Sequence, residues 1–288
     1  MTAPHVTPFF HRNSNTITYV VSDLGSRLCM IIDSVLDFDA GAGRTSTESA
    51  DGVIAHITDA GLTVDWILET HIHADHITAA PYLKDSLGGE ICIGSGVLAV
   101  QKTFGGLFNA GPGFATDGSQ FDRLLGDGEK FMLGDLGVMV LHTPGHTPAC
   151  AAYHVGDALF VGDTFFMPDS GTARCDFPGG CSKSLYRSLQ RMLSLPDETR
   201  VFVGHDYGAG GKRDVAWETT IAEERVNNIH MAGGASEAQY VRQRDDRDAT
   251  LAMPKLILPS VQINMRGGHF PPADENGVSY LKLPLNAV

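Results

Sequence analysis

Short apolar runs rich in β-branched residues recur along the first 210 residues of the chain and are separated by polar turns containing glycine and proline. Runs of this length and composition are typical of buried strands. The pattern predicts strands at 17–21, 28–32, 66–68, 91–93, 138–141, 149–154, 158–161 and 201–203.

Other segments place apolar residues three and four positions apart, which is the spacing of one helix face. This spacing predicts helices at 48–60, 182–193, 215–227 and 236–245. Strands and helices therefore alternate, which favours a layered α/β fold. No repeat or low-complexity linker interrupts the pattern, so we expect one domain over residues 1–288.

The charge balance limits the partners of the protein. The chain carries 21 Lys and Arg against 34 Asp and Glu, a formal net charge of −13. Proteins that bind nucleic acid or anionic lipid concentrate positive charge, so we expect neither partner. The sequence also lacks a long apolar stretch and a signal-peptide pattern at its start, and the expected location is the cytoplasm.

Five cysteines are scattered along the chain and form no CxxC pair. An odd, dispersed set argues against a disulfide framework and against a cysteine-type zinc site. We predict that Cys150 and Cys181 are small buried side chains without a redox role.

Histidine and aspartate follow four of the predicted strands, at the point where each strand ends. The motifs are THIHADH at 70–76, TPGHT at 143–147, GDT at 162–164 and GHD at 204–206. Sites of layered α/β proteins are commonly assembled from loops at these strand ends. The sequence therefore predicts one site built from four loops.

The HxHxDH pattern of His71, His73, Asp75 and His76 is the strongest local signal. It packs three imidazoles and a carboxylate into six residues, and such nitrogen and oxygen donors suit first-row metals. The alternative is a polar turn whose histidines cap a helix. Isolated histidines are interpreted as surface or core residues rather than ligands: His5, His11, His56, His142, His154, His230 and His269.

With His146, Asp163 and His205 in the later loops, the motif order resembles the metallo-β-lactamase superfamily over about residues 15–210, leaving a helical and loop extension at 211–288. The resemblance implies an αββα sandwich with metal at one edge. It also implies seven potential ligands, with Asp163 able to bridge two ions. Within the superfamily these positions serve dinuclear zinc hydrolases and a mononuclear iron oxygenase.

The segment GTARCDFPGGCSKSLY at 171–186 resembles the GRTDFQxGxxxxLY loop of the persulfide dioxygenases, and GHDY at 204–207 and NMR at 264–266 are similar to two further signatures of that branch. Cys175, Pro178 and Gly267 depart from the pattern. The connection at 101–121 is longer than in mitochondrial members and is closer to a bacterial subgroup called β-lactamase-like hydrolases. Its four aromatic side chains form either a lid or part of the core: Phe104, Phe108, Phe114 and Phe121.

This resemblance implies one Fe(II) per chain, held by His71, His146 and Asp163 with open positions for two substrates. The substrates would be O₂ and a small persulfide such as glutathione persulfide, and the products sulfite and the thiol. The other histidines and the aspartate of the motifs would orient the ligands and hold water: His73, Asp75, His76 and His205.

Four further residues complete the predicted site. Arg174 is the expected partner of a glutathione carboxylate, since a guanidinium binds carboxylates with two parallel hydrogen bonds. Asp176 would hold Arg174, although the two could equally form an ordinary surface ion pair. Tyr207 is expected to contact the substrate or to act in catalysis, and Arg266 to contact the substrate.

Two other interpretations stay open at this stage. A dinuclear zinc enzyme resembling glyoxalase II would use all seven ligands to hydrolyse an acyl-glutathione thioester. The second interpretation is a non-catalytic binding module with a structural metal. Against it, the coordination sphere of structural zinc is normally filled by four protein ligands. A homodimer is expected by analogy with related sandwiches.

Overall fold

A computed structural model describes residues 3–287 of the chain. Its strands are β1 (His5–His11), β2 (Thr16–Asp23), β3 (Leu28–Ile32), β4 (Asp37–Asp39), β5 (Arg44–Ser46), β6 (Thr63–Glu69), β7 (Glu90–Gly94), β8 (Arg123–Leu125), β9 (Lys130–Leu133), β10 (Leu136–His142), β11 (Ala151–Val155), β12 (Ala158–Phe160), β13 (Arg200–Phe202) and β14 (Glu218–Thr220). Its helices are α1 (Glu48–Asp59), α2 (Ala80–Leu87), α3 (Val97–Leu107), α4 (Ser182–Leu193), α5 (Gly208–Gly211), α6 (Ile221–Asn227), α7 (Glu237–Asp248) and α8 (Ile257–Asn264).

Two six-stranded mixed sheets form the centre of the molecule. The first has the spatial order β1-β2-β3-β6-β7-β8, and the second has the order β14-β13-β12-β11-β10-β9. In the first sheet β3, β6, β7 and β8 run parallel, and in the second β12 and β13 do. The short pair β4 and β5 lies apart from both sheets.

Central strands such as β2, β3 and β12 are buried on both faces, and successive side chains enter different cores because strand side chains alternate. Met30 and Leu68 of the first sheet pack against Val140 and Phe160 of the second in the central core. The outer face of the first sheet is covered by α1, α2, α3 and α8. The outer face of the second is covered by α4, α6 and α7. The fold is therefore the predicted αββα sandwich.

The structure confirms all eight predicted strands in position, with ends shifted by a few residues, and confirms the helices at 48–60 and 182–193. The prediction of a helix over 215–227 was wrong in its first half. The β-branched Thr219 and Thr220 pair with β13 as β14, and the Thr220 side chain then accepts a hydrogen bond from the Glu223 N–H and begins α6. The last predicted helix runs three residues further, to Asp248.

Helices α2, α3 and α8 were not predicted. The first part of the 101–121 connection is helical, because α3 extends to Leu107. Each of the three helices is short and packs on the first sheet, and tertiary packing stabilises short helices that weak local preferences do not specify. None of the helices in residues 3–287 has the length and apolar character needed to cross a bilayer.

Two buried tyrosines connect the sheets beneath the loops that carry the motifs. Tyr19 in β2 donates a hydrogen bond to the carbonyl of Val203, 2.6 Å away, directly after β13. Tyr153 in β11 donates to the carbonyl of Glu69 at the end of β6, 2.8 Å away. Each tyrosine therefore belongs to one sheet and fixes the strand end that leads into a motif of the other.

Glu224 in α6 is a fully buried carboxyl whose Oε2 accepts a hydrogen bond from Asn228 Nδ2, 2.6 Å away. Its Oε1 has no partner in the described part of the chain. Burial raises the pKa of Glu224 from 4.5 to about 8, so the folded protein holds a proton there that the unfolded chain releases above pH 4.5.

Stability is therefore expected to fall as pH rises from about 4.5 to 8, by roughly 4 kcal/mol at about 1.4 kcal/mol per pKa unit. The variant Glu224→Gln should remove this contribution and show a flatter profile of unfolding free energy in urea titrations between pH 5 and 9. Glu223→Gln, at an exposed position on the same helix, is the control and should retain the slope. Parallel profiles for all three proteins would contradict a neutral Glu224.

Candidate metal centre

The four motifs converge at one edge of the sandwich. His71 follows β6, His146 follows β10, Asp163 follows β12 and His205 follows β13. All four side chains are buried or nearly so, with exposed fractions of at most 9%. The sequence prediction of one site built from four strand ends therefore agrees with the placement of these residues.

His71, His146 and Asp163 form the centre of the cluster, with donor atoms within 4.8 Å of one another. Asp163 Oδ2 lies 4.0 Å from His71 Nε2 and 3.8 Å from His146 Nε2. These separations are too long for direct hydrogen bonds. They leave a space surrounded by two imidazole nitrogens and one carboxylate.

The ring of His71 is oriented by Thr70. The Thr70 hydroxyl donates to Asp33 Oδ2, 2.8 Å away, and therefore accepts from His71 Nδ1 at 3.0 Å. The Thr70 N–H donates to Asp33 Oδ1 at 2.7 Å. Because Nδ1 carries the proton, Nε2 of His71 presents its lone pair to the central space.

The ring of His146 is oriented by a backbone carbonyl. His146 Nδ1 donates to the Arg174 carbonyl, 2.7 Å away, and its ring packs edge-on against Phe177. This leaves Nε2 as the free donor atom, as in His71. The loop that carries Arg174 thus controls the metal-facing nitrogen of His146 through its backbone.

The chemistry of the unpaired buried atoms fits a metal ion. Among the described residues, His71 Nε2, His73 Nδ1, His76 Nε2 and Asp163 Oδ1 are buried without a hydrogen-bond partner. Burial lowers the pKa of His71 well below its usual range and also lowers the pKa of His146. Neutral imidazoles beside a carboxylate are the donors that zinc and iron accept.

His73 is held by two buried carboxylates. Its Nε2 lies 3.1 Å from both Asp33 Oδ1 and Glu69 Oε2, and Glu69 also accepts from the Thr78 hydroxyl. Burial alone would lower the pKa of His73, but the Asp33 and Glu69 carboxylates outweigh it and raise the pKa well above its usual range. Nδ1 is the ring nitrogen without a hydrogen-bond partner, and it becomes a metal donor once its proton is lost.

The Thr16 hydroxyl contacts three residues of the site, Asp75, His76 and His205. It donates to Asp75 Oδ2 at 3.2 Å and also lies 3.3 Å from His76 Nδ1 and 3.4 Å from His205 Nδ1. His205 Nε2 in turn lies 3.3 Å from Asp163 Oδ1 and 3.4 Å from Asp75 Oδ2. The second half of the HxHxDH motif is therefore tied to His205 through β2.

Glycine is required beside two of the site residues because the loops approach each other closely. A Cβ on Gly162, which has a φ of +50°, would lie 2.3 Å from Thr70 Oγ1. A Cβ on Gly204 would lie 2.9 Å from Asp163 Oδ1. The glycines of the GDT and GHD motifs thus allow the loops to bring their side chains to one point.

Asn264 is not among the predicted site residues, although it lies in the NMR signature at 264–266. Asn264 Nδ2 donates to the carbonyls of His73 and His76 at 2.9 and 2.8 Å, and its Oδ1 accepts from the Thr78 N–H. It therefore fixes the backbone of the HxHxDH loop from α8. Asp33 and Thr16 were also missed because they lie far from the motifs in sequence. Glu69 and Thr70 were missed although they lie beside and within the THIHADH motif.

The segment before α4 is fastened by a buried ion pair of α7. Arg244 and Asp248 lie 2.7 Å apart, with exposed fractions of 4% and 5% for their side chains. Arg244 donates to the Thr172 carbonyl, and Asp248 accepts from the Cys175 N–H. Both contacts flank Arg174, so α7 determines where the carbonyl that binds His146 lies.

A cavity of about 820 Å³ opens over the metal-binding cluster. Asp75, His146, Asp163 and His205 lie at its floor, and Tyr207 stacks on the His205 ring at its wall. The opposite wall carries basic side chains: Arg174, His230, Arg244, Arg247 and Lys255. Arg174 and Arg244 are paired with Asp176 and Asp248, and burial lowers the pKa of His230 to about 4. The free positive charge of this cationic wall therefore comes from Arg247 and Lys255, past which a small anionic molecule can reach the cluster.

The other predicted substrate residues differ in their placement. Arg174 lines the cavity, but its guanidinium binds Asp176 through two hydrogen bonds of 2.6 Å and the Ala252 carbonyl through a third. This contact is common to both interpretations of the pair, a positioning role of Asp176 and an ordinary ion pair. The structure does not bring Arg266 to the cavity. Its guanidinium lies over the Phe114 ring, 4.5 Å from the ring centre.

Two side-chain predictions are decided by burial. The four phenylalanines of the 101–121 segment are all buried in the core beneath the first sheet, which supports core packing rather than a lid. Cys150 is buried, and burial raises the pKa of its thiol to about 12. The expectation of a buried Cys181 was wrong, because this residue is exposed at the N-terminal end of α4.

Comparison with known proteins agrees with the class of protein that this fold and site define. The family model of the metallo-beta-lactamase superfamily matches residues 15–205. The chain belongs to this superfamily. The fold and the buried His and Asp cluster define it as a protein of this superfamily with a set of donors suited to a metal ion.

Three curated relatives are about half identical to this chain over nearly its whole length. A probable metallo-hydrolase of Burkholderia pseudomallei is 54% identical over 97% of this chain and 98% of its own. A beta-lactamase hydrolase-like protein of Xylella fastidiosa is 50% identical over 99% of this chain and 65% of its own length. Glyoxylase B2 of Dictyostelium discoideum is 48% identical over 95% of this chain and 94% of its own.

Proteins connected with persulfide chemistry are more distant. The human mitochondrial persulfide dioxygenase ETHE1 is 29% identical over 90% of this chain and 87% of its own. The crystal structure of ETHE1 from Myxococcus xanthus superposes with a TM-score of 0.73 at 30% identity, covering 92% of this chain and all of that one.

Proposed function

We propose that this chain is a persulfide dioxygenase that oxidises a low-molecular-weight persulfide with O₂ at one Fe(II) ion held by His71, His146 and Asp163. The observation that carries the proposal is the arrangement of these three donors. In both imidazoles Nδ1 is occupied by a protein partner, and Nε2 points toward the Asp163 carboxylate. Two histidines and one carboxylate on one face are typical of iron oxygenases.

The loop resemblance supports the same assignment. The 171–186 segment, which is similar to the persulfide dioxygenase loop, supplies the carbonyl that orients His146. The Asn264 of the NMR signature fixes the HxHxDH loop. The first of these signatures therefore contacts a proposed iron ligand directly, and the second holds the backbone of the loop that carries His71. The third signature supplies His205, whose Nε2 lies 3.3 Å from Asp163 Oδ1.

The bound iron would supply positions for O₂ and for the terminal sulfur of the persulfide. The protein has to hold the three donors, position the substrate and manage protons. Thr70 and the Arg174 carbonyl keep the His71 and His146 rings in the required tautomers. Asp75 and His205, which lie at the cavity floor, are placed to hydrogen-bond water that takes part in releasing sulfite and the thiol.

The cationic wall supports a carboxylate-bearing thiol such as glutathione as the persulfide carrier. Arg174 is already engaged by Asp176 and the Ala252 carbonyl. Arg247 and Lys255 are exposed at the cavity and form no ion pair within residues 3–287. We therefore assign recognition of the substrate carboxylates mainly to Arg247 and Lys255.

Replacement of Arg247 by Ala is expected to raise KM about five-fold with kcat unchanged, since an exposed ion pair contributes at most about 1 kcal/mol and acts equally in the ground and transition states. Steady-state kinetics with glutathione persulfide measure the change. Arg242→Ala, an exposed position of α7 away from the cavity, is the matched control and should leave KM unaltered. An unchanged KM in Arg247→Ala would assign carboxylate recognition elsewhere.

A second function is favoured by a specific observation. His73 Nδ1 and His76 Nε2 are also buried without partners in the described residues, and His73, Asp75 and His76 place donor atoms within 4.8 Å of one another. Two zinc ions sharing Asp163 would use these atoms. The protein would then hydrolyse an acyl-glutathione thioester, in keeping with its similarity to glyoxylase B2.

Metal analysis after anaerobic purification separates the two functions when it is combined with two assays. One iron per chain, with O₂ uptake that depends on glutathione persulfide, is the expected result. Two zinc ions per chain with turnover of an acyl-glutathione and no O₂ uptake would replace the dioxygenase by a thioesterase.

A further inference from the structure

A line of hydrogen-bonding side chains leads away from the metal-binding cluster toward a different surface. Thr16 Oγ1 contacts Asp75 Oδ2, and Ser14 Oγ lies 2.7 Å from Thr16 Oγ1. His11 Nδ1 lies 2.7 Å from Ser14 Oγ, and His11 Nε2 lies 3.2 Å from Asp37 Oδ1. Three side chains, Thr16, Ser14 and His11, therefore link Asp75 to Asp37. The last link is a charge contact, because His11 Nε2 has no hydrogen-bond partner within the described residues.

The path connects two cavities. Ser14 lines the main cavity above the metal-binding cluster, whereas His11 lines a second cavity of about 240 Å³ bounded by β1 and the start of α1. Asp37 is held at the far end by Ser49, whose N–H and hydroxyl both donate to its carboxylate at 2.8 Å. The imidazole is thus fixed between a hydroxyl that faces the site and a carboxylate beside the second cavity.

We propose that Thr16, Ser14, His11 and Asp37 form a proton relay that carries protons from the metal site to the second cavity. Serine and threonine hydroxyls donate and accept at the same time, and their hydrogens rotate. In the structure the Ser14 hydroxyl donates to Thr16 and the Thr16 hydroxyl donates to Asp75, so both hydrogens have to rotate away from the site before a proton can leave. Thr16 then accepts a proton at the site and passes its own to Ser14, and Ser14 passes its own to His11 Nδ1. The Nε2 proton of His11 then leaves beside Asp37.

Both candidate reactions release the proton that such a path would carry. Oxidation of a persulfide by O₂ with one water gives the thiol, sulfite and two protons, and hydrolysis of a thioester with one water gives the thiol, a carboxylate and one proton. The inference therefore does not depend on which of the two activities is correct. Because a bound substrate covers the main cavity, the relay provides an exit that remains open during turnover.

A purely structural role for His11 is the competing explanation, since the Ser14 N–H also donates to its Nδ1 at 3.3 Å and closes the turn between β1 and β2. The variant His11→Asn separates the two. The asparagine oxygen can accept the same hydrogen bonds as Nδ1, but the amide cannot take up and pass on a proton.

His11→Asn and His11→Ala are both expected to lower kcat about ten-fold at unchanged metal content, less than the roughly 10²–10⁴ contributed by a direct proton-transfer group. Imidazole should restore kcat in His11→Ala, because the truncation adjoins the second cavity. Thr16→Val interrupts the path at its other end and should lose kcat without rescue by imidazole, whereas Thr16→Ser, which keeps the hydroxyl, should lose less kcat than Thr16→Val. His5→Ala, an exposed position of β1, is the neutral control.

A measurement independent of activity tests the same path. The ¹⁵N resonance of His11 Nδ1 is expected to shift in Thr16→Val and not in Thr16→Ser, since only the former removes the hydroxyl that Ser14 contacts. Wild-type kcat in His11→Asn, or an unchanged Nδ1 resonance in Thr16→Val, would overturn the relay. Failure of O₂ uptake with intact thioester hydrolysis would reject the proposed dioxygenase and leave the relay to be measured on hydrolysis.

Discussion

The variant His146→Ala is expected to lose its metal and its activity together. His146 Nε2 is one of three donors that surround the central space, and its ring is already oriented by the Arg174 carbonyl. Loss of an outer-shell partner costs about 10–100-fold in metal affinity, so loss of a direct donor should cost more than about 100-fold. Elemental analysis of the purified variant and turnover with either substrate measure the two effects.

His154→Ala provides the matched control for this experiment. His154 lies in β11 of the same sheet and does not line the cavity. Its replacement should leave metal content and kcat close to the wild-type values. If His146→Ala retained a full complement of metal, the three-donor site would be wrong.

The second large effect is expected at the buried ion pair of α7. Removing one partner of a buried pair leaves an uncompensated charge and typically costs about 3–5 kcal/mol. In Asp248→Ala the guanidinium of Arg244 and the N–H of Cys175 both lose their acceptor. We expect a decrease of this size in the free energy of unfolding, measured by urea denaturation at neutral pH.

Activity should fall in Asp248→Ala even in the folded fraction, because the 172–175 segment carries the carbonyl that orients His146. Asp245→Ala, an exposed position on the same helix, is the control and should change stability by less than about 0.5 kcal/mol. A loss below about 1 kcal/mol in Asp248→Ala would show that α7 does not anchor this segment.

The strand ends and their motifs could be predicted because each signal is local. A buried strand of Val, Ile and Leu followed by HxHxDH, Gly-His or Gly-Asp is recognisable within ten residues, and the order of four such signals indicates the fold. Helices such as α8 were missed for the opposite reason. Its residues 257–264 form a helix because they pack on the first sheet, and their sequence alone shows no clear amphipathic pattern.

The metal-facing trio could likewise be proposed from the sequence, whereas the residues that orient it could not. Asp33 acts on His71 through Thr70, and Thr16 acts on His205 from β2, at separations of 37 and 189 residues. No periodicity links such positions. Arg266 shows the converse error, because a signature residue was assigned to the substrate while the fold places its charge over Phe114.

The two buried tyrosines that connect the sheets, Tyr19 and Tyr153, limit how this site can be transferred to another scaffold. The His71 loop depends on Tyr153 and the His205 loop on Tyr19, so each loop is supported from the sheet to which it does not belong. Grafting one loop with its own strand would leave the Glu69 or Val203 carbonyl buried without its tyrosine donor. The imidazole of His71 or His205 would then lose its fixed position. The smallest unit that can be transferred with its geometry intact therefore includes parts of both sheets, which are discontinuous in sequence.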